Sequence, residues 1–234
     1  MIDKVKQAVK NLLSGVGFDH GFEHVMRVYD NAMKICDKED ADREIVGLAA
    51  LLHDVDDYKV FGKEHEEKLI NAGKIMSDIE VDAGKQILIF DIIKNMGYSK
   101  VLKGIRPSTA EGKVVSDADM LDSCGVIATV RTIAFTSTLG SKRIFDSKVF
   151  PVKNLSHDVY QNVKRDDDSA INHHFDKLLR LNELMFTKSG RIEADLRREE
   201  MVAFLRAFFR ETGATEWQDY LDEFLAGECS DFVL

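Results

Sequence analysis

Ile45-Val46-Gly47-Leu48-Ala49-Ala50-Leu51-Leu52-His53-Asp54 is the stretch that decides the fold. Apolar residues run almost without a break, and two ionisable side chains follow at once. A helix that is apolar on most sides belongs at the centre of its domain. This one, spanning about 42–53, is therefore expected to be the core of an all-α assembly. Apolar residues recur at helical spacing on either side of it. Residues 3–14 set Val5, Val9, Leu12 and Leu13 on one face, and Gly15-Val16-Gly17 ends that helix. The helix over about 21–38 turns Phe22, Val25, Val28 or Tyr29, and Ala32 inward. Further helices are expected at 64–76, 83–95, 111–137, 169–187, 192–211 and 216–226. Ser108 with Glu111, and Thr215 with Gln218, have the spacing of capping boxes. The region 138–168 holds Gly140, Pro151 and the charged run Lys164-Arg165-Asp166-Asp167-Asp168. It is expected to be a long loop, of a length that serves as a lid or as a plain solvated connection.

Composition agrees with this reading and excludes several classes of protein. With 234 residues the chain suits one large domain. Two prolines in the whole sequence favour long helices over a turn-rich sandwich. A formal charge of −9 leaves no electrostatic footprint for non-specific nucleic-acid binding, so no nucleic-acid partner is expected. Phosphate ligands would need a local basic pocket. Cys36, Cys124 and Cys229 are odd in number and widely spaced, and read as reduced thiols. The opening Met1–Gln7 lacks the basic-then-apolar order of a signal peptide, and no apolar run approaches the roughly 20 residues of a membrane helix. A soluble, cytoplasmic protein without a membrane partner is expected.

Chemistry is sought among seven histidines. Two are followed by aspartate, His53-Asp54 and His157-Asp158, and in so acidic a chain the dipeptide alone carries no weight. Context separates the pairs. His157-Asp158 lies in a polar stretch and is set aside. His53-Asp54 closes a buried segment, where a bare carboxylate is costly unless bonded or bound. A metal that activates water needs several ligands and one open position. His24 stands three residues before Arg27 on the amphipathic helix, so the two share a face. In Ser116-Asp117-Ala118-Asp119-Met120-Leu121-Asp122, Asp117 and Asp119 point about 200° apart on a helix, so only one can join a given site. Asp119 and Asp122 can share one. A set of His24, His53, Asp54 and Asp119 mixes nitrogen and oxygen donors and suits a divalent first-row metal such as Mn²⁺. Taken singly, His24 also reads as a core histidine, Asp117 as a helix cap, and Asp56 and Asp57 as turn residues.

Taken together and in order, these residues resemble the HD-domain phosphohydrolase superfamily, whose pattern is H…HD…D. His24 stands 29 residues before His53, and Asp119 stands 65 after Asp54. The stretch Phe18–Val28 looks like the opening helix of that family. His53-Asp54-Val55-Asp56-Asp57-Tyr58-Lys59 looks like the HDxxDxK form of its compact, single-domain bacterial branch, which includes dNTP pyrophosphohydrolases. Asp117–Asp122 looks like DADxLD, and Ile171–Leu179 resembles an NHFxxKLL helix. The resemblance implies a helical HD-domain bundle over about 18–137 with additional C-terminal helices over about 169–226, the whole 1–234 forming one domain. It also implies one divalent metal held by His24, His53, Asp54 and Asp119, with Mn²⁺ favoured and Mg²⁺, Co²⁺, Ni²⁺ or Fe²⁺ possible.

The activity implied is hydrolysis of a small phosphorylated substrate, foremost a nucleotide, with triphosphate going to monophosphate and pyrophosphate. A 5′-nucleotidase or phosphodiesterase would use the same site, and a non-catalytic nucleotide sensor is the reading from another class. Asp57 takes the general-base role, and Arg27 and Lys59 neutralise phosphate charge. His20, Asp122, His174 and Lys177 are expected at the substrate or just behind the ligands. Tyr58 stands where the related guanosine-tetraphosphate hydrolases carry the Asp of HDxxED, which argues against their mechanism. Only His65 falls between His53-Asp54 and Asp119, so one metal is expected rather than two. A homodimer is compatible with this pattern.

Overall fold

A computed structural model describes residues 1–17, 21–138, 143–151 and 169–227. His20, the His157-Asp158 pair, Cys229 and most of the expected 138–168 loop lie outside the described residues. The chain is all-α, with no strand among the described residues. It divides into two compact units, one of residues 1–122 and 185–191, the other of residues 123–184 and 192–234.

The first unit contains α1 (Ile2–Leu12), α2 (Phe22–Cys36), α3 (Arg43–Leu52), α4 (Tyr58–Phe61), α5 (Lys63–Lys68), α6 (Ile70–Asp78), α7 (Ala83–Asn95), α8 (Tyr98–Leu102) and α9 (Ala110–Asp122). Helix α3 is its centre. Every residue from Ile45 to Leu52 is buried, as its all-round apolar sequence requires. Helices α1, α2, α7 and α9 pack around it. The Asp42 carboxylate caps α3, accepting from Glu44 N at 2.8 Å and Ile45 N at 3.1 Å. The amphipathic faces read from the sequence point inward: Val5 and Val9 from α1 with Leu13 at its C-cap, and Val25, Val28 and Ala32 from α2.

The second unit contains α10 (Val126–Thr138), α11 (Ala170–Asp176), a 3₁₀ segment (Leu178–Leu184), most of α12 (Lys188–Thr212) and α13 (Thr215–Leu225). An aromatic cluster fills it. The rings of Phe145, Phe175, Phe209 and Tyr220 meet that of Trp217 at centroid distances of 5.2–5.9 Å, within the range in which edge-on and offset pairs attract.

Several sequence expectations need correction. The helix expected over 111–137 is two helices, α9 and α10. Gly125 breaks it with φ +86, a conformation that L side chains rarely adopt, and Arg197 Cβ lies 3.2 Å from where a Gly125 Cβ would sit. The segment expected as one helix over 64–76 breaks at Leu69, which adopts a left-handed conformation (φ 51) while its side chain is buried. The Ser108–Glu111 capping box is not made. Thr109 Oγ1 accepts from Gly112 N instead, and Glu111 accepts from Asp42 N at 2.9 Å, tying α9 to the start of α3. Ala214, not Thr215, is the N-cap of α13. Cys36 and Cys124 are free and buried, and burial pushes the Cys36 thiol above its ordinary pKa.

Candidate metal centre

The centre is built from the ends of three helices of the first unit. His24 lies in the first turn of α2, His53 and Asp54 follow the last residue of α3, and Asp119 lies in the last turn of α9. Because α2, α3 and α9 pack against one another, residues far apart in sequence converge. His24 Nε2 is 3.1 Å from His53 Nε2, 3.4 Å from Asp54 Oδ2 and 3.7 Å from Asp119 Oδ1. His53 Nε2 is 3.6 Å from Asp54 Oδ1 and 3.9 Å from Asp119 Oδ1. The two imidazoles form a buried floor, with side chains 6% and 3% exposed, while Asp119 at 26% sits at the rim.

The hydrogen bonds behind the two rings fix what they present to each other. The last turn of α3 leaves carbonyls without helical partners, and His53 Nδ1 reaches back 2.8 Å to the Ala50 carbonyl, an interaction that requires the ring to donate. His24 Nδ1 lies 2.7 Å from Asp122 Oδ2, a carboxylate that is 2% exposed. A proton on each Nδ1 leaves each neutral ring with a lone pair at Nε2. Two such lone pairs 3.1 Å apart, flanked by two carboxylates, repel one another unless a proton or a metal cation lies between them. The donor set therefore fits a divalent cation. Neighbouring donors around an octahedral ion bonded at about 2.1 Å lie about 3 Å apart, and the 3.1–3.9 Å separations approach that spacing.

Asp122 does more than hold His24. Its Oδ1 accepts from Arg27 Nε at 2.6 Å, and its Oδ2 from Arg27 Nη2 at 3.1 Å. His24 and Arg27, three apart on α2, thus grip one carboxylate three residues beyond Asp119 on α9. Asp117 points elsewhere, as the helical angle requires. Its oxygens accept from Phe186 N at 2.8 Å and from Thr187 N and Thr187 Oγ1 at 2.7 Å each, capping α12. Burial pushes the Asp117 carboxyl up to about 6.

The remaining site candidates divide. Asp57 is the N-cap of α4, one oxygen accepting from Lys59 N at 2.9 Å, and is half-buried at the turn after His53-Asp54. Lys59 is exposed on the same turn. His174 is a core residue of the second unit. It is fully buried, Nδ1 donates to the Ala170 carbonyl at 2.8 Å, and Nε2 lies 3.1 Å from the Thr129 hydroxyl. Those two bonds engage both ring nitrogens, and burial pulls its pKa down to about 4. Lys177, half-buried, stands at the C-terminus of α11 in the second unit.

One arrangement was not singled out from sequence. Asp56, 2% exposed, accepts from Asn71 N at 2.8 Å and Ala72 N at 2.9 Å, and lies 3.1 Å from His65 Nδ1. The carboxylate that reads as a turn residue is the buried anchor joining the α3–α4 turn to α6.

The centre has relatives. A model of the HD domain matches residues 21–124. YpgQ of Bacillus subtilis is 30% identical over 210 residues, covering 87% of this chain and 90% of its own. The chain belongs to the HD-domain superfamily of hydrolases. Among solved structures, a Lactobacillus plantarum protein superposes with a TM-score of 0.75 at 29% identity over 91% of this chain and 97% of its own. An HD-superfamily hydrolase of Bacillus thuringiensis gives 0.71 at 29% identity, again over 91% and 97%. YpgQ, solved in complex with ADP, gives 0.64 at 28% identity over 90% and 94%. No helix among the described residues is long and apolar enough to cross a membrane.

Proposed function

We propose that this HD-superfamily member is a metal-dependent phosphohydrolase acting on nucleotides, converting a nucleoside triphosphate to the monophosphate and pyrophosphate. The observation that carries the reading is the pair of imidazole Nε2 atoms 3.1 Å apart, with His24 Nδ1 2.7 Å from Asp122 Oδ2 and His53 Nδ1 2.8 Å from the Ala50 carbonyl behind them. His24, His53, Asp54 and Asp119 would hold one divalent cation, with Mn²⁺ favoured by the mixed nitrogen and oxygen donors. Such an ion lowers the pKa of water and polarises a phosphoryl oxygen. Asp57 would take a proton from the attacking water with the oxygen that does not cap α4. The water oxygen would bond to the α-phosphorus while the bond from that phosphorus to the α,β-bridging oxygen breaks, its electron pair leaving on that oxygen as part of pyrophosphate. Arg27, held by Asp122 with its side chain 26% exposed, and Lys59 would face phosphate oxygens. The nucleotide class is supported by the complex of YpgQ with ADP.

The test is a product analysis with Mn²⁺ and a panel of deoxy- and ribonucleoside mono-, di- and triphosphates. Monophosphate plus pyrophosphate is expected from triphosphates, whereas nucleoside plus phosphate from monophosphates would make the protein a nucleotidase. Asp54→Ala is expected to abolish both Mn²⁺ binding and turnover. Full activity in that variant without bound metal would refute the assignment.

A further inference from the structure

Residues 92–110 contain Lys94, Lys100, Lys103 and Arg106 and not one carboxylate, in a chain whose net charge is −9. Among the described residues no ion pair engages any of the four. Lys94, Lys103 and Arg106 are exposed and Lys100 is half-buried. A solvated surface normally interleaves its signs, and this segment does not.

Its position is set at both ends by α9. At one end Gly97, with φ +90, brings bare backbone against the metal centre. A Cβ there would sit 3.5 Å from Asp119 Oδ2, and Gly97 N donates to Ser116 Oγ at 3.3 Å. At the other end the Arg106 guanidinium lies 5.8 Å from the centre of the Phe186 ring, whose own backbone N–H is held by Asp117.

The turn between these ends is a built one. Gly104 takes φ +75, Ile105 N donates to the Lys100 carbonyl at 3.0 Å and Gly104 N to the Val101 carbonyl at 2.9 Å. This is the paired six-to-one and five-to-two bonding of a Schellman motif. The chain folds back on α8, so Lys100, Lys103 and Arg106 are carried by one closed turn. Lys100 N is itself bonded to Gly97 O at 3.1 Å, one turn from the contact with Asp119.

At the centre itself Arg27 would share its positive charge between Asp122 and the phosphate at the reacting phosphorus. Asp54, Asp57 and Asp119 would repel a substrate that carries several negative charges beyond its reacting phosphorus. We infer that the 97–106 turn is a subsite for the terminal phosphates of a nucleoside triphosphate, with Lys100, Lys103 and Arg106 holding the pyrophosphate that leaves. The inference rests on the phosphohydrolase reading and deepens it, adding the binding groups for the leaving portion of the substrate. Gly97 is the residue that lets the turn approach Asp119.

The test uses the full chain and an α,β-methylene deoxynucleoside triphosphate, with the corresponding monophosphate as control. Binding is followed by calorimetry without added metal, at low and high salt. Lys100→Ala/Lys103→Ala is expected to weaken triphosphate binding by about ten-fold or more per cation removed, most strongly at low salt. Monophosphate binding should stay within two-fold. Lys100→Arg/Lys103→Arg, which keeps the charge, is expected to restore most of the affinity, which a merely structural loss would not allow. Unchanged triphosphate binding in the Ala pair, or an equal loss for both ligands, overturns the subsite. Charge-dependent triphosphate binding by a protein that hydrolyses no nucleotide overturns the phosphohydrolase reading and leaves the subsite standing. Mn²⁺-dependent hydrolysis whose KM for the triphosphate ignores both lysines does the reverse.

Discussion

Replacing Asp122 by Asn tests the argument behind the metal centre without touching a proposed ligand. The wild-type carboxylate accepts three hydrogen bonds, from His24 Nδ1 at 2.7 Å and from Arg27 at 2.6 and 3.1 Å, while 2% exposed. An amide of the same shape has one accepting oxygen. Arg27 can only donate, so it claims that oxygen, and the amide nitrogen turns toward His24. His24 then has to accept at Nδ1, which moves its proton to Nε2 and removes the lone pair that faces His53. A comparable partner behind a metal-bound histidine is worth about 10–100-fold in metal affinity, and a forced tautomer places this variant at the upper end. Loss of the charge on Asp122 also weakens its pairing with Arg27. A fully buried pair broken on one side costs about 3–5 kcal/mol. With a quarter of the Arg27 side chain in solvent and one bond to the amide retained, roughly 2 kcal/mol is expected here. Calorimetric titration with Mn²⁺ and urea unfolding read the two effects separately. A folded Asp122→Asn protein that binds Mn²⁺ within two-fold of wild type would refute the tautomer argument, and with it the main support for a cation at this position.

Other expectations follow from the same geometry. His174 is held neutral down to about pH 4, whereas the unfolded chain takes up its proton near pH 6.5. Stability should therefore be fully present above pH 6.5 and fall as pH drops from 6.5 to 4, by roughly 3 kcal/mol from this group. Fluorescence of Trp217, the one tryptophan, reports unfolding of the same unit. The difference between wild type and His174→Gln should show that slope, and parallel pH curves would contradict it. Asp117 acts with the opposite sign. Its carboxyl is raised to about 6 from 3.8, so its contribution is present below pH 3.8 and is lost as pH rises through 6. Asp117→Asn should flatten that loss of stability between pH 3.8 and 6 in unfolding experiments followed by helical circular dichroism. A methyl group on Gly190 would collide with Asp117 Oδ2 and Thr187 Oγ1, the groups that cap α12. Gly190→Ala is therefore expected to cost about 1–3 kcal/mol, and much less when Asp117 is already Ala, a coupling that a double-mutant cycle measures.

What was legible in the sequence was whatever follows from spacing along one chain. The eight buried positions from Ile45 to Leu52 announce a central helix because nothing in them can face water. Asp117 and Asp119 declare themselves alternatives because a helix turns them apart, and the structure sends one to cap α12 and the other toward the imidazoles. Local backbone chemistry was harder to read. Gly125 interrupts an otherwise continuous apolar pattern, and nothing local distinguishes a tolerated helical glycine from one at φ +86. Leu69 is harder still, since a buried leucine in the left-handed region contradicts its own propensity and persists only through its surroundings. His174 shows the limit for site residues. Its neighbourhood in sequence matches a family motif, yet burial among the side chains of the second unit engages both nitrogens internally. Asp56 errs in the other direction, polar in sequence and buried in fact, because two backbone N–H groups of α6 and His65 were waiting for it. In each case the missing information was the partner. The same holds for the basic turn, whose run of cations is plain in the sequence but gains chemical meaning only where Gly97 meets Asp119.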